Sequence, residues 1–147
     1  MNTDKYPLTV GETSMVYEFF SEGINGKIPK LIIFSETNLH NFYNLGFGDK
    51  NEQAGNIDDL AITNNGDSQK VLATVASSLL QFTDKYPNAM VYATGSTKSR
   101  TRLYRMGISN NFEMIEANFE IFGQYQDRWQ PFEKGVEYEA FFVKRKL

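Results

Sequence analysis

The chain has 147 residues, 41% hydrophobic and 22% charged, which suits one folded domain (1–147) and excludes an intrinsically disordered segment. A net charge of −3 excludes nucleic-acid binding by bulk charge alone, and the lack of cysteine excludes thiol catalysis, disulfides and cysteine-ligated metals. Aromatic residues are plentiful, with 12 Phe and 8 Tyr, which favours strands. Met1 to Leu8 carries no signal pattern and no apolar run reaches membrane length, so the expected location is cytoplasmic, with no membrane partner.

Residues 1–10 read as a loosely held lead-in. Ser14 to Glu22 alternates like a strand, and Gly23-Ile24-Asn25-Gly26 is a hairpin turn in which Asn-Gly supplies positive φ. Lys27 to Glu36 returns as a strand that is apolar on both faces at Leu31-Ile32-Ile33-Phe34 and therefore central. Asn41 to Asp49 reads as a third strand, Lys50 to Asn56 as a polar loop and Ile57 to Thr63 as a fourth strand.

Asp67 or Ser68 opens the best helix, running to about Lys85, with Val71, Val75, Leu79 and Phe82 as its inward stripe. Tyr86-Pro87-Asn88 stops it. Ala89 to Thr94 is a strand, followed by a short basic helix. Met114 to Gly123 then alternates like a strand, with Ile115, Ala117, Phe119 and Ile121 on one side. Gln124 to Gly135 reads as a loop and Val136 to Lys144 as the last strand. The order implies an α+β fold, a single mixed, mostly antiparallel sheet with two main helices packed on it.

The basic helix carries the most distinctive chemistry. Charge is uneven along the chain, with four Lys/Arg against nine Asp/Glu up to residue 60 and eleven against nine after it. A strand turning sharply into a helix presents free backbone N–H groups, and that end of a helix attracts anions. Here the turn Gly95-Ser96-Thr97 leads at once into Lys98, Arg100, Arg102 and Arg105, and no acidic residue lies between Lys85 and Phe112. Thr97 or Ser96 is the expected N-cap and Gly107 the expected C-cap. Lys98, Arg102 and Arg105 share one face, while Ser99, Leu103 and Met106 form the stripe expected to face the core. The segment is a candidate site for a small anionic ligand or an acidic protein surface. The plainer alternative is a solvated face that meets acidic residues from elsewhere in the fold.

Other chemistry is sparse. His40, the one histidine, stands beside a turn and reads as a surface residue rather than a catalyst, and neither a second His nor a Cys is available to build a metal site around it. Asp58 and Asp59 are neighbours in the fourth strand and point to opposite faces. Glu116, Glu120, Glu137 and Glu139 read as solvent-facing strand residues. Trp129, Phe132 and Tyr125 form an aromatic group that closes over a ligand, stacks on a base or, as such residues more often do, plugs the end of the sheet. Lys144-Arg145-Lys146 is a basic tail.

From Ile57 to Gly123 the order strand, long helix, strand, second helix, closing strands resembles the second half of the GNAT superfamily of acyltransferases. There the long helix's N-terminus holds the coenzyme A pyrophosphate, and the second helix often carries Asn-x-x-Ala-x-x-Leu-Tyr-x-x-x-Gly-Phe. Leu103-Tyr104 and Gly107-Ile108 look like that Leu-Tyr and Gly-Phe. Where the family has a glycine-rich loop this chain has Asn64-Asn65-Gly66-Asp67-Ser68, which sets a carboxylate where phosphate would sit. The resemblance implies a GNAT-like topology. If the fold is catalytic, it further implies acetyl-CoA as cofactor and Tyr104 as general acid. Three functions follow: a non-enzymatic GNAT-like domain that binds an anion at Gly95, Ser96, Thr97, Lys98, Arg100, Arg102 and Arg105; an acyl-CoA-dependent N-acyltransferase; and a nucleic-acid-binding or toxin–antitoxin-like partner module using the basic helix with Lys144–Lys146. From Tyr6-Pro7-Leu8-Thr9-Val10 to Glu137-Tyr138-Glu139-Ala140-Phe141-Phe142, the chain also resembles a small bacterial family whose function is unassigned.

Overall fold

The structure is a computed structural model that describes residues 4–51, 53, 55–57, 65–95 and 97–146. Among these, nine strands and three helices follow in the order β1 (Thr9–Val10), β2 (Val16–Gly23), β3 (Gly26–Glu36), β4 (Phe42–Asn51), β5 (Asn56–Ile57), α1 (Ser68–Lys85), β6 (Met90–Ala93), α2 (Lys98–Asn110), α3 (Phe112–Asn118), β7 (Phe119–Tyr125), β8 (Arg128–Pro131) and β9 (Ala140–Arg145). The strands form one mixed sheet in the order β1-β2-β3-β4-β6-β9-β7-β8, with β5 paired to β4 off this path. Only β4–β6 is parallel, which is the pair that α1 connects; the other pairs are antiparallel. The fold is therefore α+β, as its element order implies.

One face of the sheet takes the helices. The inward stripe of α1 is as expected: Val71, Val75, Leu79 and Phe82 are buried. Phe82 is fully enclosed and stacks on Phe34 of β3 at 4.1 Å between ring centroids, with Tyr43 edge-on at 5.0 Å. Phe141 and Val143 of β9 and Ile121 of β7 complete this core. The central position of β3 shows in Leu31, Ile32 and Phe34, all buried. Further along the same strand, Lys30 is buried and ion-paired with Asp49 of β4. Within the lead-in, Tyr6 is buried. Its N–H donates to Thr74 Oγ1 at 2.8 Å and its hydroxyl to Asp67 Oδ2 at 2.5 Å, so the segment is anchored across the start of α1.

Several expectations are corrected. Helix α2 does not end at Gly107 but runs to Asn110. Gly107 instead lies against α1, where a Cβ would come within 3.2 Å of Leu72 Cδ2, so the glycine permits close helix packing. The described residues form three helices rather than two, because Phe112–Asn118 is helical and the strand begins only at Phe119. Glu, Met and Ala are good helix formers, and Phe112, Ile115 and Phe119 also match a helical period. The inward stripe of α2 is Tyr104, Gly107 and Ile108, while Ser99 and Met106 are exposed. The Gln124–Gly135 loop contains β8, and the last strand starts at Ala140 rather than Val136. In the first hairpin only Gly26 takes positive φ; the Asn25 N–H instead donates to Asn65 Oδ1 at 2.6 Å. Strand β4 continues to Asn51, two residues into the expected polar loop. Of the expected Ile57–Thr63 strand, Ile57 lies in β5; 58–63, with Asp58 and Asp59, lie outside the described residues.

Candidate functional site

The start of α2 is built by short polar residues. Thr97 is its N-cap, with Oγ1 accepting the Arg100 N–H at 3.2 Å. Thr101 Oγ1 accepts the Gly95 N–H at 3.0 Å, folding the turn back on the helix. Thr94 Oγ1 donates to Glu139 O at 2.9 Å, joining the turn to the segment before β9. Gly95 is required here: a Cβ would overlap the Thr101 amide nitrogen and lie 2.6 Å from the Arg100 carbonyl carbon. Ser96 lies outside the described residues.

This geometry gathers Lys98, Arg102 and Arg105 with Thr97 and Thr101 along a groove of about 560 Å³. The opposite wall carries Glu137 and Glu139, both exposed. Arg105 Nη1 lies 3.9 Å from Glu137 Oε1, a long pair between a half-buried guanidinium and an exposed carboxylate, of the kind that contributes little. Both readings of the basic helix thus have a physical counterpart: the cations converge on one groove, and acidic side chains from another segment meet them. Arg100 does not line this groove. It is half-buried on the other side of the helix, and its charge acts on Tyr104.

Tyr104 points inward, towards β4. The β4–β6 pairing ends at Asn44 and Tyr92, while β4 runs on to Asn51 and meets β5 only at Lys50 and Asn51. The Tyr104 hydroxyl sits beyond this end, 3.5 Å from Leu45 O and hydrogen-bonded to the Phe47 backbone. Burial pushes its pKa up to about 12, against smaller lowering effects of Arg100 and the Phe47 bond. An apolar cavity of about 60 Å³ lies beside it, bounded by Leu45, Leu72, Ala93 and Gly107.

At the start of α1, Asp67 occupies the cap position without bonding the helix N–H groups. Its carboxylate is instead turned towards Tyr6 and Ser21 Oγ, the latter donating at 2.6 Å. Asn64 lies outside the described residues.

The remaining candidates do not converge. His40 is exposed in the turn before β4. Among the described residues no cluster of three or more His, Asp or Glu is suited to a metal ion. The aromatic group is split: Phe132 is buried with Tyr138 and Phe141, Trp129 lies on the opposite face of the sheet, and Tyr125 is exposed. Lys144 pairs in register with Met90 and Phe141 with Ala93, so the basic tail lies at the far end of β9 from the start of α2. Lys144 faces Glu120 at 3.6 Å and Arg145 faces Asp84 at 2.8 Å, on opposite sides of the sheet. Glu116 is exposed in α3 rather than in a strand, and Glu120 is exposed in β7.

The chain matches the model of DUF6934, a family of unknown function, over residues 2–146. It belongs to this family. No curated protein and no solved structure matches the chain. The DUF6934 match spans both the helix-covered face and the α2 groove, and among the described residues no helix is long and apolar enough to cross a membrane.

A feature of this DUF6934 chain not anticipated from sequence is the uncovered face of the sheet, where Phe42, Tyr92, Phe122, Trp129 and Phe142 line a second recess. Its signal is present in Phe141-Phe142-Val143, apolar on both faces in a chain whose helices cover only one.

Proposed function

We propose that this domain is a GNAT-like fold that binds the anionic part of a phosphate-bearing ligand, or an equivalent acidic protein surface, in the groove at the start of α2. The observation that carries this reading is the convergence of Lys98, Arg102 and Arg105 on one groove beside the capped helix start. Three cations there face two carboxylates, and among the described residues Lys98 and Arg102 have no ion-pair partner. The element order supports the topology: β4 and β6 are parallel and joined by α1, α2 follows β6, and β9 inserts between β6 and β7. Titration with inorganic pyrophosphate tests the site. The double change Arg102→Glu and Arg105→Glu should weaken binding by at least tenfold, about 1.4 kcal/mol. Unchanged affinity would sink the proposal.

A second reading, acyl transfer with Tyr104 as general acid, rests on the likeness of Leu103-Tyr104 to the GNAT Leu-Tyr; its phenol is protonated at neutral pH, and burial that pushes its pKa up to about 12 makes it a weaker acid than a free tyrosine. Its position also fits a purely structural task, satisfying β4 backbone groups beyond the end of the β4–β6 pairing. Tyr104→Phe separates the two. A structural role costs about 1–2 kcal/mol of stability. Because the folded pKa is raised above the ordinary 10, the contribution of Tyr104 is intact below pH 10 and fades as pH rises towards 12. The phenylalanine variant should therefore lose less stability over that interval than the wild type. A catalytic role adds loss of acetyl transfer from acetyl-CoA with binding retained.

A further inference from the structure

The face of the sheet opposite the helices carries a recess of about 760 Å³, within the range of small-molecule sites. Its floor is aromatic, from Phe42, Tyr92, Phe122 and Phe142, with Trp129 as one wall and the Thr37–Leu39 turn as the other. The rings form one continuous surface: Phe122 lies 5.1 Å, Phe42 5.6 Å and Trp129 5.8 Å from Phe142, and Tyr92 lies 6.0 Å from Trp129. These rings are half-buried or exposed, and Trp129 remains 45% exposed. A contiguous apolar patch left open on a folded domain marks a binding surface.

Among the described residues one charge borders this surface. Lys144 lines the recess from β9, and among the described residues it is ion-paired with Glu120 alone, at 3.6 Å, both side chains being nearly half-exposed. Such a pair contributes little and yields readily to a better anion. Asn38 and Asn44 also line the recess. A single-stranded nucleic acid would need a row of cations along its backbone, whereas this recess offers one, on a chain of net charge −3.

We propose that the recess binds a small planar aromatic or heteroaromatic molecule with one anionic group, its ring lying on the Phe142 floor against the Trp129 wall and its anion on Lys144. The site is on the opposite side of the sheet from the α2 groove and stands independently of it. Trp129 is the one tryptophan of the chain, so its indole N–H gives a single NMR resonance inside the proposed site. Naphthoate, followed through that resonance, should bind saturably at one per chain. Lys144→Gln should weaken it about fivefold and Glu120→Gln should tighten it, the scale expected for a half-exposed charge. Uncharged naphthamide should bind all three proteins alike. Both substitutions are at exposed positions, and an unchanged melting temperature confirms that each variant is folded. The proposal is overturned if naphthoate gives no saturable shift, or if its affinity ignores Lys144. It is equally overturned if an oligothymidylate displaces naphthoate with steep salt dependence, or if the recess proves to be covered by a second copy of the chain in sedimentation measurements.

Discussion

Gly95→Ala is expected to lower stability by about 2–3 kcal/mol and to abolish binding in the α2 groove together. Overpacking against movable side chains costs about 1–3 kcal/mol. Here the new methyl group meets backbone, the amide of Thr101 and the carbonyl carbon of Arg100, which cannot rotate aside. Relief requires moving the first turn of α2, and that turn sets where Lys98 and Arg102 stand. Thr101→Val is the control. It removes the hydroxyl that accepts the Gly95 N–H without adding bulk at the turn, and should cost only about 1 kcal/mol. Chemical denaturation of both variants, paired with pyrophosphate titration, checks the expectation. A Gly95→Ala protein that is as stable as wild type would show that the turn is not held in this geometry.

Phe82→Ala should be still more costly, about 3–5 kcal/mol. The ring is wholly enclosed, stacked on Phe34, edge-on to Tyr43 and 5.0 Å from Tyr86, so it ties α1 to β3, β4 and the end of its own helix. For a domain of this length that loss corresponds to a fall in melting temperature of about 10 °C or more. A fall of only a few degrees would mean that the neighbouring rings collapse into the space.

The contrast between these two positions shows what could be read in the chain. Phe82 belongs to a wide apolar stripe, and such a stripe on a long helix has few alternatives to facing a core. The stripe of α2 was misassigned because that helix is basic on one side and weakly apolar on the other. Its true inward residues include Tyr104, polar at its tip, and Gly107, whose role depends on Leu72 of another helix. Phe112–Asn118 fits both a strand and a helical period, and seven residues are too few to decide between them. At the site, the Thr97 cap and the shared face of Lys98, Arg102 and Arg105 follow from local spacing. Glu137 and Glu139 opposite them do not, because they arrive from a segment more than thirty residues away. The position of Asp67 was equally hidden. Its carboxylate is held by Tyr6 and Ser21, so the charge that would oppose phosphate at the start of α1 is directed into a hydrogen-bonded network instead. The aromatic face was visible residue by residue, and only the sheet order unites β4, β6, β9, β7 and β8 into one surface.

The central claim is that the α2 groove receives the phosphates of a ligand. Its most direct test is the melting temperature of the wild type and of the Arg102→Glu, Arg105→Glu variant, each with and without saturating pyrophosphate. A ligand at about 100 times its dissociation constant adds roughly 2.7 kcal/mol. For this length that is a rise of about 5–10 °C, expected in the wild type and absent in the variant. No rise in the wild type, or an equal rise in both proteins, would contradict the account.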